Sequence, residues 1–340
     1  MNCFTKTFIF IHPSFLFFFF IIVFSNLRII SSNSFFFSWV FLEINLISFI
    51  PLIINIKNKY SSEASLKYFF IQTVTSILIL FSILTLKNYY LIFNLNILVF
   101  ALIIKIAVAP CHQWIPSVSE RLNWLNLFIF FSFQKINPLI ILFSIIQKIK
   151  HHLLFLLYIL RSAIIGRLGG LNQNSLRKIL VYSSIAHIAW LLRALSISNW
   201  LWIFYFLIYC LILNSIIIIF HKIQVRTISQ LYIKNKKLIK LRVTLTLLSL
   251  GGLPPFTGFF PKLFITQELF FHSFVLLFFL LSSTFVTLFF YIRIILPYTL
   301  IINIFNKSFS HNQHNNTFLY YVIFINIFAF LASPFFFIFF

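Results

Sequence analysis

The sequence predicts an all-α, polytopic membrane protein of about eleven transmembrane helices, and its composition and hydropathy pattern carry this prediction. Of the 340 residues, 61% are hydrophobic and only 9% are charged, whereas a soluble domain carries roughly 25% charged residues. Apolar runs recur along the whole chain, and they reach the roughly 20 residues that a helix needs to cross a bilayer. A soluble fold would lack the polar groups needed to cover so much apolar surface.

The apolar runs locate the predicted spans to within a few residues at each boundary. Their ranges are 8–26, 35–55, 67–86, 89–109, 123–147, 152–170, 177–196, 199–221, 241–260, 269–297 and 318–340. The first run has no small-residue cleavage site, which favours a retained helix over a signal peptide. The longest polar stretch, from His221 to Arg242, is too short for a soluble domain. We therefore expect a single transmembrane domain over residues 1–340.

Basic residues far outnumber acidic ones, with 26 lysines and arginines against 4 glutamates and a net charge of +22. Such a charge can indicate nucleic-acid binding, but here the basic residues lie mostly in short loops between apolar runs. Loop charge of this kind sets membrane topology and contacts anionic lipid. We therefore expect membrane lipid, and no nucleic acid, as a partner. The side that holds the N-terminus collects about three times as many lysines and arginines, which predicts a cytoplasmic or matrix N-terminus.

The sequence offers no recognisable cofactor or metal site. Its cysteines, Cys3, Cys111 and Cys210, are isolated from one another, whereas an iron–sulfur cluster needs about four thiolates. Neither a G-x-G-x-x-G string nor a G-K-[ST] loop occurs. We expect no cofactor and no metal in this chain, so that any redox or nucleotide chemistry belongs to partner subunits.

Some ionisable residues lie inside or beside predicted spans, where topology does not explain them. They are Glu43, Lys105, Lys135 and Lys262. A charge at the centre of a span costs about 2.5–3.5 kcal/mol on insertion scales, and it is retained where it faces other helices or a hydrated cavity, often along an ion pathway. Burial favours the neutral forms, whereas pairing a lysine with a carboxylate favours the charged forms. A proton gained by one group therefore changes the proton affinity of its neighbour, and we predict a proton relay.

Helix-breaking residues stand next to the lysines. Pro110 follows Lys105, Pro138 follows Lys135, and a glycine- and proline-rich stretch at 251–258 precedes Lys262. Interrupted helices occur in membranes where they line a cavity, and they mark ion sites in transporters. A simple packing kink explains any one proline equally well, but the repeated pairing of a lysine with a helix breaker favours an ion site.

Several sequence strings occur together in a characteristic order. They are L-E-I-N-x-x-x-F-I-P at 42–51, E-A-S-L-K-Y-F-F-I-Q at 63–72, A-P-C-H-Q-W-I-P-S-V at 109–118, Q-K-I-N-P at 134–138, G-G-L-N-Q-N-S-L-R-K-I-L-V-Y-S-S-I-A-H-I-A-W at 169–190 and L-S-L-G-G-L-P-P-F-T-G-F-F-P-K at 248–262. Over residues 35–270 the chain thus resembles the NADH dehydrogenase subunit 2 family, the antiporter-like subunit of respiratory complex I. The resemblance implies two inverted five-helix repeats, at about 1–150 and 151–297, each with an interrupted helix, and then a loop and a helix over 298–340.

The resemblance also implies roles for individual residues. Glu43 corresponds to the family's intramembrane glutamate, Lys105 to its partner lysine, Lys135 to the central lysine and Lys262 to the lysine of the second repeat. His187 either continues this polar axis between Lys135 and Lys262 or is simply satisfied by a neighbouring helix. The resemblance further implies a mitochondrial inner-membrane location with a matrix N-terminus, other complex I membrane subunits as partners, and FMN, iron–sulfur clusters and ubiquinone in those partners.

Other charged residues receive weaker interpretations. Glu63 begins a helix, where a carboxylate favours the helix dipole, and Glu268 is a candidate modulator of Lys262. Arg161, Arg167 and Arg193 stand where the resemblance implies small or aromatic residues, and we assign them no function. Codon usage specific to mitochondria, or editing, would explain them, a hypothesis that mass spectrometry of residue 167 tests.

The predicted function is proton translocation within an NADH:ubiquinone oxidoreductase, with no redox centre in this chain. Two alternatives remain open from the residues. One is a stand-alone cation/proton antiporter, which would purify as a small oligomer. The other is a structural membrane scaffold, in which neutralising Glu43, Lys105 and Lys135 would leave turnover intact.

Overall fold

The computed structural model describes residues 13–54, 59–85, 91–147, 153–233 and 237–300, and within these ranges the regular secondary structure is helical, with turns between the helices and one isolated β-bridge. The all-α prediction is confirmed for this part of the chain. Eight helical segments of this part are long and apolar enough to cross a membrane, one of them, Trp124–Ile146, made of two consecutive helices, and a shorter apolar helix covers Phe93–Ile106. The count of about eleven spans is not confirmed. The predicted span at 318–340 and residues 8–12 of the first predicted span lie outside the described residues.

The chain separates into two compact units, Met1–Lys150 and His151–Phe340. Each unit is described by itself below. That the units are inverted repeats of one another stays a prediction.

The first unit is a bundle in which one helix occupies the centre. Its helices are α1 (Pro13–Ser31), α2 (Phe35–Ile53), α3 (Lys59–Thr85), α4 (Leu91–Ile106), α5 (Trp114–Ser119), α6 (Trp124–Phe131) and α7 (Phe133–Ile146). Helix α7 packs against α1, α2, α4 and α6, and α3 packs against α2, α4 and α5. The side chains of α7 therefore face polar groups from several neighbouring helices.

Two predicted spans of the first unit differ from the observed helices. The span predicted at 123–147 is two helices, because the backbone of Ser132 leaves the helical region with φ −106° and ψ −82°. Helix α3 begins at Lys59, upstream of the predicted start at residue 67, since its first turns are polar and carry no hydropathy signal. Helix α4 ends at Ile106, where Ala107 takes a φ of 59° and its N–H donates to the Ile104 carbonyl at 3.0 Å.

The second unit is built around a buried helix. Its helices are α8 (Leu153–Leu171), α9 (Leu176–Ile197), α10 (Asn199–Ile223), α11 (Ile228–Ile233), α12 (Lys237–Gly251), α13 (Phe259–His272) and α14 (Phe274–Leu300). Helix α9 packs against α8, α10, α13 and α14, and 83% of its apolar segment is buried. Polar side chains on α9 therefore face protein and not lipid.

The span predicted at 241–260 ends early, at Gly251, where the glycine- and proline-rich stretch at 251–258 interrupts the chain as expected. Helix α12 ends at Gly251, and α13 begins only at Phe259. Gly252 adopts a φ of 78°, and Pro254 and Pro255 have no N–H to donate to an α-helix. Ser273 then separates α13 from α14, so the span predicted at 269–297 begins at Phe274. The interruption leaves the carbonyl end of α12 inside the second unit.

Candidate functional site

Lys105 and Lys135 line a common cavity inside the first unit. Lys105 is 7% exposed and Lys135 is 4% exposed, so both are buried within the bundle. The space open to the centre of a water molecule is about 20 Å³, and Tyr68, Gln72 and Gln134 complete its polar lining. A water molecule needs roughly 10–15 Å³ on this measure. The two lysines predicted from the sequence are therefore brought together at a cavity large enough for one water molecule.

Local structure explains how these two lysines reach the cavity. Lys105 lies in the last turn of α4, where the partial negative charge of a helix C-terminus favours a cation. Gln72 on α3 donates its side-chain N–H to the Lys105 carbonyl at 3.5 Å. Lys135 lies in the first turn of α7, and its Nζ is 5.1 Å from the centre of the Phe131 ring. An aromatic face stabilises a buried ammonium group through its quadrupole.

Glu43 is half-buried on α2, and its Oε1 has no hydrogen-bond partner in the described part of the chain. Its carboxylate interacts electrostatically with Lys105 and with Tyr68. Within the described residues, however, Glu43 and Lys105 form no direct ion pair at 4.0 Å or less. Glu43 and Lys105, which the resemblance implies as partners, thus interact electrostatically without a direct contact.

A chain of hydrogen bonds, which the sequence analysis missed, ties four helices together beside the cavity. Tyr68 on α3 donates to Gln134 Oε1 at 3.0 Å, and Gln134 on α7 donates to Asn45 Oδ1 at 2.6 Å. Asn45 on α2 then donates to Asn26 Oδ1 at 2.9 Å, and Asn26 on α1 donates to the Phe133 carbonyl at 3.3 Å. The only signal in the sequence is the presence of amides inside apolar runs. This network holds α7, and with it Lys135, in place.

Asn137 is a second residue that the sequence analysis missed. Its side chain is fully buried, and neither its Nδ2 nor its Oδ1 has a hydrogen-bond partner among the described residues. It lines a smaller cavity of about 10 Å³, again counted as space for the centre of a water molecule, together with Lys105, Asn45 and Gln134. A buried amide left unpaired costs about 1–3 kcal/mol. The two polar atoms of Asn137 are therefore suited to bind water next to Lys105.

Lys262 occupies a different environment in the second unit. It is 7% exposed, and its Nζ donates to the Gly251 carbonyl at 2.7 Å. That carbonyl belongs to the C-terminal end of α12, where the helix dipole places partial negative charge. In the described residues no carboxylate pairs with Lys262; the candidate modulator Glu268 is exposed and forms no ion pair with it. The backbone carbonyl thus provides the negative charge that stabilises the Lys262 ammonium, as Glu43 does for Lys105 in the first unit.

Gly252 is required at this position by both its backbone and its surroundings. Its φ of 78° is unfavourable for residues with a side chain, and a Cβ placed there would lie 2.8 Å from Lys262 Nζ. Gly252 therefore leaves the space in which the ammonium group reaches the end of α12.

His187 lies on α9, and its neighbouring helix provides a partner. Its Nδ1 is 2.8 Å from the hydroxyl oxygen of Tyr205 on α10, and its ring centre is 5.0 Å from that of Tyr209. This contact agrees with the interpretation in which His187 is satisfied by a neighbouring helix. That His187 also continues a polar axis stays a prediction.

The remaining charged residues make local contacts. Glu63 does not begin its helix as predicted, because α3 begins at Lys59 and has no acidic residue in its first turn. It pairs instead with Lys67 at 2.8 Å and with Arg121, a local structural role. Arg167 donates to the hydroxyl of Ser282 at 2.6 Å. Arg161 is exposed on α8, and Arg193 donates to Ser196 at 3.4 Å. Nothing in these contacts explains why arginine stands at 161, 167 and 193.

Comparison with known proteins places the chain in a family. Residues 32–289 match the family described as NADH:quinone oxidoreductase/Mrp antiporter, TM. NADH-ubiquinone oxidoreductase chain 2 of Anopheles gambiae is 41% identical over 287 residues, covering 80% of this chain and 82% of that protein. The protein of the same name from Aedes aegypti is 38% identical over 330 residues, covering 92% of this chain and 95% of that protein.

A solved structure shares the fold. One chain of respiratory complex I from Thermus thermophilus, solved with bound aureothin, superposes with a TM-score of 0.75 at 22% identity, covering 89% of this chain and 74% of that chain. The antiporter-like fold predicted from the sequence is thereby confirmed. On the family match and the identity to its insect relatives, the chain belongs to the NADH:quinone oxidoreductase/Mrp antiporter family, as a member of its NADH-ubiquinone oxidoreductase chain 2 group.

Proposed function

We propose that this chain is a core membrane subunit of an H⁺-translocating NADH:ubiquinone oxidoreductase in the mitochondrial inner membrane. It moves protons while partner subunits, which hold FMN, iron–sulfur clusters and ubiquinone, pass electrons from NADH to ubiquinone. The names of the relatives and the family support this assignment over a stand-alone antiporter. The observation that carries the proton-moving role is the cavity shared by Lys105 and Lys135, with Glu43 in electrostatic reach.

The coupling in the first unit follows from charge and burial. An ionised Glu43 stabilises the charged form of Lys105, and a protonated Glu43 does not. Two unit charges roughly 5–8 Å apart in a medium with an effective dielectric constant of about 20 interact by about 2–3 kcal/mol. This energy corresponds to about a hundredfold change in proton affinity. A proton that arrives at Glu43 therefore makes Lys105 release its own.

The cavity determines where the released proton goes. Lys105 and Lys135 both line a space large enough for a water molecule, and hydrogen bonds of Gln134 tie α7 to α2 and α3. The proton passes from the Lys105 ammonium to the water, and the water passes a proton to neutral Lys135. The amide of Asn137, which lines the adjoining cavity, orients a second water beside Lys105.

Lys262 serves as the corresponding loading group of the second unit. Its charged form is held by one strong hydrogen bond to the Gly251 carbonyl. Within the described residues no carboxylate pairs with Lys262. Loss of the single hydrogen bond to the Gly251 carbonyl is therefore enough to make Lys262 release its proton. This difference between the units makes Lys262 sensitive to the geometry of the α12 end.

The orientation of the chain is part of the proposal. The excess of lysine and arginine on the N-terminal side favours a matrix N-terminus. Protease protection of an N-terminal tag in mitoplasts and in inverted vesicles tests it: the tag is expected to be cleaved only in inverted vesicles. Cleavage in mitoplasts would contradict the assigned orientation.

The proton-moving role is tested in the assembled complex. We expect Lys105→Ala and Lys262→Ala to lower the number of protons pumped per electron, measured together with NADH oxidation in reconstituted vesicles. Lys67→Ala is the matched control, since Lys67 is half-exposed on α3, does not line the cavity and pairs with Glu63. It is expected to keep the wild-type ratio. A wild-type ratio in both Lys105→Ala and Lys262→Ala would overturn the proposal.

The two alternative functions predict different outcomes. A stand-alone antiporter would migrate on a native gel as a small oligomer, whereas we expect the chain only within a very large assembly. A structural scaffold would retain full proton pumping after neutralisation of Glu43, Lys105 and Lys135, provided that the complex assembles.

A further inference from the structure

Lys240 is a buried lysine to which the proposed proton movement gives no role. It lies one turn into α12 and is only 4% exposed. Its Nζ has no hydrogen-bond partner among the described residues. An ammonium group that is buried without a partner loses its hydration and gains nothing in return, which is unfavourable. The position of Lys240 therefore calls for a partner with negative charge.

Two tyrosines lie beside Lys240 where three helices meet. The Lys240 Nζ is 5.2 Å from the centre of the Tyr298 ring on α14, and the ring of Tyr232 on α11 is 6.5 Å from that of Tyr298. Helix α14 packs against both α11 and α12. Helical side chains point toward the N-terminus of their helix, so the ammonium group is directed to the end of the second unit. Lys240, Tyr232 and Tyr298 are called the Lys240 site below.

The chain itself offers no acidic side chain to the Lys240 site. The whole sequence contains only four acidic residues, which are Glu43, Glu63, Glu120 and Glu268. All four lie in the described part of the chain, and none of them forms an ion pair with Lys240 there. A counter-charge for the buried ammonium group has to come from another molecule.

The surroundings of the Lys240 site favour an anion further. The first N–H groups of a helix have no partner within the helix, and the helix dipole adds partial positive charge there. Lys240 lies close to this end of α12. Arg293 on α14 interacts electrostatically with Tyr232, and its guanidinium group donates to the Gln173 carbonyl at 3.1 Å. A carbonyl does not neutralise the arginine, so a second full positive charge remains near the site.

The place of the site along the chain indicates which anion it binds. The polar, basic stretch from His221 to Arg242 ends where the apolar part of α12 begins, so the site lies at the boundary between water and hydrocarbon. Tyrosines are enriched at this level of a membrane, next to the lipid headgroups. Basic pockets between membrane helices bind anionic headgroups. A lipid phosphate is therefore at the right depth to reach the Lys240 ammonium group.

We propose that the Lys240 site binds the phosphate group of an anionic phospholipid. The ammonium group donates hydrogen bonds to the phosphate oxygens, while the Tyr298 ring stabilises its positive charge from the side. This inference goes beyond the proposed function and does not depend on it, because Lys240 takes no part in the proposed movement of protons. A bound lipid would connect α12 with the end of α14.

The experiment measures lipid contact at the site in the assembled complex. The complex is reconstituted in phosphatidylcholine vesicles that contain a trace of phosphatidylglycerol with a photoreactive diazirine on its acyl chain next to the glycerol. After irradiation, mass spectrometry gives the cross-linked fraction of α12 and of the end of α14. We expect Lys240→Met to lower this fraction about tenfold or more, because one charge-assisted hydrogen bond is lost. Methionine keeps a long apolar side chain in the buried position.

Two controls make the result specific to the site. Lys222→Met removes an exposed lysine at the end of α10, and we expect it to keep the wild-type cross-linking. A phosphatidylcholine probe with the same diazirine carries no net charge, and we expect it to label the site of the wild-type protein much less. This comparison of the two lipids needs no substitution, so it decides the test if Lys240→Met fails to assemble.

Three outcomes would overturn the proposal. The first is equal labelling of the site by both lipids, or unchanged labelling by phosphatidylglycerol in an assembled Lys240→Met complex. The second is loss of the labelling when inorganic phosphate is added, which would make free phosphate the bound anion. The third is a carbodiimide cross-link between Lys240 and a carboxyl group of another subunit, which would make a protein the source of the counter-charge. Protons pumped per electron are not measured, so the outcome is separate from that of the Lys105→Ala and Lys262→Ala test.

Discussion

Replacing Gly252 by alanine tests how the end of α12 holds Lys262. The added Cβ would lie 2.8 Å from Lys262 Nζ, whereas ordinary contacts of a Cβ begin at 3.4 Å. The ammonium group must therefore retreat by roughly 0.6 Å, which lengthens its 2.7 Å hydrogen bond to the Gly251 carbonyl. A hydrogen bond to a charged group contributes about 1.5–3 kcal/mol. In addition, the positive φ costs an alanine about 1–2 kcal/mol.

The effect on pumping follows from the sign of this interaction. The bond to the carbonyl stabilises the charged form of Lys262, so its loss favours the neutral form. The lysine of Gly252→Ala is then expected to lose its proton at lower pH. Proton pumping measured against pH in reconstituted vesicles should decline on the alkaline side about one pH unit earlier than in the wild type.

Gly251→Ala is the matched control for this prediction. Its Cβ would collide with the Leu288 side chain and would not touch Lys262. We expect it to lower the thermal stability of the complex but to leave the pH dependence of pumping in place. A wild-type pH profile in Gly252→Ala, or an equal shift in Gly251→Ala, would refute the assigned role of the helix end.

Three further predictions concern the first unit. Gln134→Leu removes a donor and an acceptor from the hydrogen-bond network, and it should destabilise the subunit by about 2–4 kcal/mol in thermal denaturation; an unchanged melting temperature would contradict the network. Asn137→Leu replaces an unpaired amide by an apolar group of similar volume. The free energy of unfolding should stay within about 1 kcal/mol of the wild type, while pumping falls. Normal pumping would exclude a role for Asn137 in binding water. Glu43→Gln should reduce pumping, whereas Glu63→Gln, at an exposed ion pair, should not; equal effects would argue against a specific coupling to Lys105.

Hydropathy was sufficient for the class of fold and for the buried lysines. Lys105, Lys135 and Lys262 were singled out as charges out of place, and all three are buried. The reason is energetic, because a lysine inside an apolar run has few stable positions apart from a protein interior.

The helix interruption at 252–258 agrees with the glycine- and proline-rich stretch of the sequence, but the predicted span at 241–260 runs through it for a physical reason. Its residues Leu253, Pro254, Pro255 and Phe256 are apolar, so a hydropathy window treats this loop as part of a span. The backbone geometry of Gly252 ends the helix, and hydropathy does not register backbone geometry. The start of α3 differs from the prediction because the helical residues there are polar, and a hydropathy window excludes polar residues from a span.

The partners of the charged groups could not be predicted either. The acceptor for Lys262 is a backbone carbonyl, which every residue possesses. The amides of Asn45, Gln134 and Asn137 meet only because α2 and α7 pack together, and a single sequence does not state which helices are neighbours.

The central claim is that buried lysines in this chain carry protons, and one measurement addresses it most directly. Lys135→Met keeps a long side chain in the space beside Phe131 and removes only the titratable group. Protons pumped per electron should be measured in vesicles that hold the assembled complex, with NADH oxidation followed in the same sample. A lower ratio, with electron transfer retained when the membrane potential is collapsed, is the predicted result. A ratio equal to that of the wild type would contradict the account.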